Sequence, residues 1–136
     1  MVLERLLILG VAAGVLLVAL ALWRVCALRR LARLAACDAP EAVAGVVDDG
    51  PALLYFTTKT CAQCRFQQTP ILRQLAASVA IPVRTLDAIE HEQLARHYGI
   101  LTVPTTVVLD RSRKPVAINH GLAPLHRLRE QAETVL

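Results

Sequence analysis

A long uncharged run near the amino terminus limits what the start of this chain can fold into. From Leu6 to Trp23 the sequence reads LLILGVAAGVLLVALALW, eighteen residues without a charged side chain. A membrane-spanning helix needs about 20 apolar residues, with a lower limit near about 17. Eleven of these residues are Leu, Ile or Val, and together they favour insertion by about 3 to 6 kcal/mol. The run therefore predicts a single transmembrane anchor at residues 1–24.

Two kinds of cleaved leader are alternatives to this anchor. A secretory signal would have a weak basic segment, because Arg5 is offset by Glu4, and its apolar run would be long. Small residues at 19–21 nevertheless resemble a cleavage site. The sequence LAAC that ends at Cys37 resembles a lipoprotein processing box, but four arginines separate it from the apolar run. These features favour the uncleaved anchor.

Arginine side chains are concentrated just after the apolar run, at the start of a basic juxtamembrane linker at residues 25–37. The positive-inside rule places such a flank in the cytoplasm, which favours a cytoplasmic carboxy-terminal domain on a single-pass membrane protein. The net charge of +4 comes largely from this stretch. No basic patch interleaved with aromatic residues is present, so nucleic acid is not an expected partner. The arginines are Arg24, Arg29, Arg30 and Arg33.

Residues 38–136 contain enough chain for a self-sufficient hydrophobic core. Their patterning predicts the order α, β, α, β, α, β, β, α, with a capping box of Asp38 and Glu41 at the first helix. Alternating strands and helices predict an α/β domain with a parallel core and a final antiparallel hairpin. The predicted strands are 52–57, 82–87, 105–109 and 115–119, and the helices after the first are 62–78, kinked at Pro70, then 90–98 and 125–135.

The pair Cys61 and Cys64 lies just after a predicted buried strand, at the start of a predicted helix. Free N–H groups at a helix amino terminus stabilise an anion by up to about 1 kcal/mol, which is about one pKa unit. With N–H···S hydrogen bonds, and with help from Lys59, this moves a thiol pKa from about 8.5 toward 7. The pattern predicts that Cys61 attacks a substrate disulfide as a thiolate and that Cys64 then releases the substrate.

Metal ligation and a vestigial cysteine pair are the alternatives to a redox pair. Zinc usually needs four ligands. The spacing of His120 and His126 is permissible, but Gly121 and Pro124 lie between them, and the chain has no second close cysteine pair. We therefore predict no metal ligands and no organic cofactor, since the cysteines themselves carry the electrons. A metal-binding tether stays a less favoured reading.

A second motif, read together with the cysteine pair, resembles the thioredoxin-like superfamily over residues 50–136. The sequence YGILTVPT from Tyr98 is similar to the family's Tyr-Gly-Ile-x-x-[Ile/Val]-Pro-Thr loop, and Gly121 precedes the last helix as the family's glycine does. The resemblance implies a thioredoxin fold, a central mixed sheet with flanking helices, preceded here by the transmembrane helix. It also implies that Pro104 is cis and faces the cysteines and that the Val103 backbone pairs with substrate. Thr105 beside Pro104 is a further candidate for substrate binding, and packing or capping is its alternative role.

Three departures from the family pattern limit what the resemblance implies. The family's Trp-Cys-Gly-Pro-Cys is TCAQC here, so Ala62 and Gln63 become the expected redox-tuning residues between the cysteines. Tyr55 stands where thioredoxins place a buried Asp, and we predict that it packs in the core. Pro70 comes one residue later than the family's helix proline. The superfamily and its redox class are therefore carried over, but not the identity of a thioredoxin.

The resemblance implies a membrane-tethered thiol–disulfide oxidoreductase. Its expected substrates are protein or small-molecule disulfides and dithiols, and a reductase or a membrane thiol carrier would be its redox partner. The main alternative is a non-catalytic module that holds a client on the surface formed by Val103 and Pro104, here called the Pro104 ledge. Many anchored proteins with this kind of domain face the oxidising side of the membrane, which is the alternative to the cytoplasmic orientation.

Overall fold

The computed structural model describes residues 1–36 and 41–136. These form two compact units, residues 1–33 and 34–136. The predicted capping residue Asp38 and the cysteine of the processing box, Cys37, lie outside the described residues, and so does the side chain of Glu41.

A single helix, α1 (Val2–Ala36), includes all of the first unit. Its 35 residues make it about 50 Å long at 1.5 Å per residue, more than the roughly 30 Å of a bilayer's hydrocarbon core. Its apolar section is long enough to cross a membrane, and none of that section is buried by protein. The helix is thus a candidate membrane anchor, and a signal sequence would show the same length and composition.

The second unit is a mixed sheet of four strands with helices on both faces. Its strand order is β2-β1-β3-β4, and its mixed sheet with flanking helices is the predicted thioredoxin fold. The strand bounds match the prediction to within one residue, and the last two helices are each two residues shorter than predicted. In chain order the elements are α2 (Glu41–Ala44), β1 (Ala52–Thr57), a π-helical turn (Cys64–Gln68), α3 (Thr69–Ser78), β2 (Val83–Asp87), α4 (Glu92–Tyr98), β3 (Thr105–Leu109), β4 (Pro115–His120) and α5 (Leu125–Glu133).

The connection between β2 and β3 corrects the prediction of a parallel core. Among the strands of residues 41–136, only β1 and β2 pair in parallel, whereas β3 runs antiparallel to β1. The seven residues of α4 span about 10 Å, which is shorter than the five-residue strand before it, at about 17 Å. Because α4 does not return the chain across the sheet, β3 begins at the end of the sheet where β2 finishes.

The chain between Cys64 and Gln68 forms a π-turn, in which the Thr69 N–H donates to the Cys64 carbonyl five residues back. A π-turn holds one more residue than an α-helical turn. It therefore accommodates the one-residue displacement of Pro70, which lies in the first turn of α3 and there lacks an N–H that would need a partner. The sequence predicted a kink at Pro70, and the structure has a π-turn directly before that proline.

The sheet separates two hydrophobic clusters, and β1 contributes to both because successive side chains point to opposite faces. Leu53 and Tyr55 pack against α3 and α5 in the first cluster. Leu54 and Phe56 pack against α2 and α4 in the second. This two-sided burial explains why β1 is apolar throughout.

Candidate redox site

Three segments that are distant in sequence meet at one end of the sheet. Thr57, the last residue of β1, pairs with the last residue of β2. Thr105, the first residue of β3, pairs with Phe56 and with His120, the last residue of β4. The antiparallel placement of β3 thus brings the cysteine segment after β1, the proline before β3 and the glycine after β4 to the same end of the sheet.

Cys61 and Cys64 form a disulfide with Cα atoms 5.3 Å apart. Cys64 is 1% exposed, whereas Cys61 is partly exposed and directly precedes the first helical residue. The Cys64 N–H donates to Cys61 Sγ at 3.1 Å, so the site contains the N–H···S hydrogen bond that thiolate stabilisation needs. Ala62 and Gln63 are exposed between the two cysteines.

The loop before β3 contains the cis proline bond that the resemblance implied. The Val103–Pro104 peptide bond is cis, and Pro104 is buried while Val103 is partly exposed. The Thr105 hydroxyl donates to the Thr102 carbonyl at 2.7 Å, so it holds the loop together from within. Val103 and Cys61 both pack against the hydrophobic cluster on the α3 and α5 face.

Lys59 is paired with a carboxylate in the connection between β2 and α4. Its Nζ lies 2.8 Å from Glu90 Oε1, and both side chains are exposed. The hydrogen bond that Lys59 donates to Glu90, the negative charge of Glu90 and the negative charge of Asp87 raise the pKa of Lys59 above its ordinary value. The Lys59 charge is therefore compensated at short range, which weakens its field at Cys61.

Tyr55 is in the core, as predicted, and its hydroxyl also makes contacts that the sequence did not indicate. It donates to the Cys64 carbonyl at 3.1 Å and lies 3.3 Å from the Thr69 hydroxyl. Of the side chains that the structure describes, the buried polar ones are all uncharged: Gln68, Thr105, Thr106 and Asn119.

The family model for thioredoxin matches residues 39–134. The chain belongs to the thioredoxin family. No curated protein sequence matches it.

Solved thioredoxin structures share the fold of the second unit. A mutant thioredoxin from Halobacterium salinarum NRC-1 is similar with a TM-score of 0.59 and 27% identity, over 65% of this chain and 76% of that one. Thioredoxin from Aeropyrum pernix has a TM-score of 0.58 and 22% identity, over 72% of this chain and 84% of that one. Thioredoxin-2, a component of malaria parasite protein secretion machinery, has a TM-score of 0.57 and 21% identity, over 65% and 85% of the two chains.

Family membership and the Cys61–Cys64 disulfide together support thiol–disulfide exchange as the class of activity of this thioredoxin-family protein. Within residues 1–36 and 41–136, no group of three or more His, Cys, Asp or Glu side chains is arranged to hold a metal ion.

Three side chains at the site were missed by sequence reasoning. They are the Tyr55 hydroxyl, Gln68 and Glu90, which contact residues 9, 55 and 31 positions away. Hydrophobic periodicity and motif spacing report short-range order, so neither pattern contains a signal for such contacts.

Proposed function

We propose that this thioredoxin-family protein exchanges disulfides with protein clients while tethered to a membrane. The observation that supports this most directly is the asymmetry of the cysteine pair. Cys61 is partly exposed and lies at the start of a helix, whereas Cys64 is 1% exposed. The accessible sulfur is the one that a client disulfide can reach, so Cys61 is the nucleophile and Cys64 the resolving thiol.

The reaction balances with two cysteines and one client disulfide. The Cys61 thiolate attacks one client sulfur, forms a Cys61–client disulfide and releases the other client sulfur as a thiolate. Cys64 loses its proton to solvent or to that thiolate and attacks Cys61 Sγ, which releases the second client sulfur. The client is reduced to a dithiol by two electrons, and Cys61 and Cys64 are oxidised to the disulfide. The reverse sequence oxidises a client dithiol.

Client binding is assigned to the loop before β3. In this proposal, Val103 offers its backbone to an extended client segment, as in strand addition. Pro104 lies under that segment beside the cysteines, and Thr105 supports the loop through its bond to Thr102. Lys59, Ala62 and Gln63 tune the redox pair from the exposed side of the site.

The protein also needs an electron partner and a defined membrane side. We assign a reductase or a membrane thiol carrier as the partner, because two electrons must enter or leave the pair in every cycle. The arginines that follow the apolar run support a cytoplasmic domain.

Substitution of Cys64 by Ser tests the function. Cys64→Ser leaves Cys61 able to attack but removes the resolving thiol, so the full-length variant in its native membrane should accumulate client adducts through Cys61. Non-reducing gels followed by mass spectrometry of the Cys61 peptide measure these adducts. The control is Cys61→Ser with Cys64→Ser, which keeps Cys26 and Cys37 and reports any adducts on those thiols.

Two outcomes would replace the proposed function. Equal client recovery in the single and double variants, without covalent adducts, would indicate a non-catalytic binding module. Stoichiometric zinc in protein purified without chelator, lost in the double variant, would indicate a metal-binding tether.

A further inference from the structure

Gln68 is a completely buried polar side chain in the last position of the π-turn, 0% exposed. Its Nε2 donates to the Ala123 carbonyl at 3.1 Å, and its Oε1 accepts from the Ala123 N–H at 2.8 Å. One amide thus satisfies both backbone groups of a residue 55 positions away. Leaving such groups unpaired in a protein interior costs about 1 to 3 kcal/mol each.

Ala123 lies in a short loop, residues 121–124, that also holds the ledge. At the start of the loop, the Gly121 N–H donates to the Pro104 carbonyl at 2.8 Å. Gly121 has a φ of +81°, a backbone conformation that residues other than glycine rarely adopt. The loop is therefore joined to the π-turn through Gln68 and to the ledge through Gly121.

The cysteine end of the π-turn is held from another direction. The Cys64 carbonyl accepts from the Tyr55 hydroxyl of β1 and from the Thr69 N–H. The sheet thus fixes the turn at Cys64, and the loop at residues 121–124 fixes it at Gln68. Among the residues that the structure describes, the Gln68 side chain forms hydrogen bonds with Ala123 alone.

We infer that Gln68 is a positioning residue that keeps the π-turn, and with it the cysteine pair, at a fixed distance from the Pro104 ledge. A client held on the ledge must present its sulfur to Cys61, so both halves of the site have to keep a fixed separation. A displacement of about 1 Å between reacting groups can cost about a hundredfold in rate. A small disulfide that does not use the ledge is far less sensitive to that separation. The inference rests on the proposed exchange activity.

Gln68→Glu provides a test with an internal rescue. A protonated carboxyl can donate to the Ala123 carbonyl and accept from its N–H, as the amide does, whereas an ionised one can only accept. Burial raises the pKa of the introduced carboxyl. Both hydrogen bonds to Ala123 should therefore form at low pH, and the bond to the Ala123 carbonyl should be lost as the carboxyl ionises. The matched control is Gln67→Glu, the same change at the exposed neighbouring residue.

The measurement is single-turnover oxidation of the pre-reduced full-length protein in detergent, by a peptide disulfide and by a small aliphatic disulfide. Relative to Gln67→Glu at the same pH, the oxidation rate of Gln68→Glu by the peptide disulfide should fall about 10- to 100-fold at high pH. Its oxidation rate by the small disulfide should fall much less. Both rates should recover at low pH. Equal losses with both substrates at every pH would overturn the inference. If Gln68→Glu does not fold, Gln68→Met should give the peptide-selective loss without the rescue.

A second readout separates this inference from the proposed function. Hydrogen exchange of the Gly121 amide reports the loop-to-ledge bond whether or not the protein is active. In Gln68→Glu its protection should fall with rising pH together with that of Ala123, beyond the change seen in Gln67→Glu. If Ala123 loses protection and Gly121 does not, Gln68 does not act on the ledge. If the unmodified protein oxidises with neither disulfide, the proposed function fails while this readout still decides the inference.

Discussion

Two buried tyrosine hydroxyls in this chain have opposite surroundings. The Tyr55 hydroxyl donates to the Cys64 carbonyl and contacts Thr69. The Tyr98 hydroxyl is buried with no hydrogen-bond partner in the part of the chain that the structure describes. Its ring packs edge-on against Phe56 with centroids 6.4 Å apart. Tyr98 therefore stabilises the fold through its ring alone, whereas Tyr55 also stabilises it through its hydroxyl.

Removal of each hydroxyl should affect stability differently. We expect Tyr55→Phe to lower the free energy of unfolding by about 1 kcal/mol, because it removes a buried donor and leaves the Cys64 carbonyl with one partner fewer. Tyr98→Phe should be neutral or stabilising, because no bond among the described residues is lost. Pulse proteolysis of the full chain across a urea series measures both values. A larger loss for Tyr98→Phe than for Tyr55→Phe would contradict this reading.

The pH dependence of stability should also involve Tyr98. Burial raises its pKa from 10.0 to about 12, so the unfolded chain ionises first as pH rises above 10. Tyr98 thus contributes fully below pH 10, and its contribution falls between pH 10 and 12. At pH 11 the wild type should have lost about 1 kcal/mol relative to Tyr98→Phe. Urea unfolding of both proteins between pH 9 and 11 measures this difference, and a constant difference would contradict the expectation.

At the scale of elements, a polar contact joins α5 to the sheet. Asn119 Nδ2 donates to Gln131 Oε1 at 2.7 Å, and Gln131 Nε2 donates back to Asn119 Oδ1 at 3.0 Å. Asn119 also donates to the Thr106 hydroxyl at 3.1 Å, which connects β4 with β3. The amphipathic pattern of α5 predicted its apolar face, with Leu128 and Ala132 completely buried, but not this amide pair beside it.

A double-mutant cycle measures how strongly α5 is coupled to β4. We expect Asn119→Ala to destabilise by about 1 to 3 kcal/mol, because it also leaves Thr106 without its partner. Gln131→Ala should cost less, since Gln131 is only partly buried. The coupling energy from the double variant should be about 0.5 kcal/mol or more. Additive single effects would show that the two amides do not stabilise each other.

At the scale of the whole molecule, the chain combines an apolar helix with a thioredoxin-family domain. Most of the apolar side chains in the first 23 residues of α1 are exposed, and a run of this kind is stable when lipid covers it. The second unit has its own two-sided hydrophobic core. The proposed anchor would thus place α1 in lipid, while the second unit has a core of its own.

The proposed orientation predicts which compartment contains the carboxy terminus. A green fluorescent protein fused after Leu136 should fluoresce, and a phosphatase that requires disulfides should be inactive at the same position. Replacing Arg24, Arg29, Arg30 and Arg33 by Gln should weaken this preference, because the positive charge that retains the flank is removed. Strong phosphatase activity with no fluorescence would place the domain on the oxidising side. Release of the unfused protein from membranes by alkaline carbonate would contradict the anchor itself.

The sequence alone determined everything that depends on short-range pattern. The length of the apolar run, the positions of β1 to β4, the cysteine spacing and the Pro104 motif all follow from residues that are close in sequence. The motifs also sufficed to recognise the family and its fold.

Only the tertiary structure decided how these segments meet. The antiparallel course of β3 depends on the end of the sheet at which the chain emerges from α4. Hydrophobic periodicity contains no information on the direction in which a strand runs. The Tyr55 bond to Cys64, the Lys59–Glu90 pair and the Gln68 amide at Ala123 join residues that the fold brings together. The Tyr55 and Gln68 contacts form because buried polar groups need partners, and the partner is whichever group the packed chain places within reach.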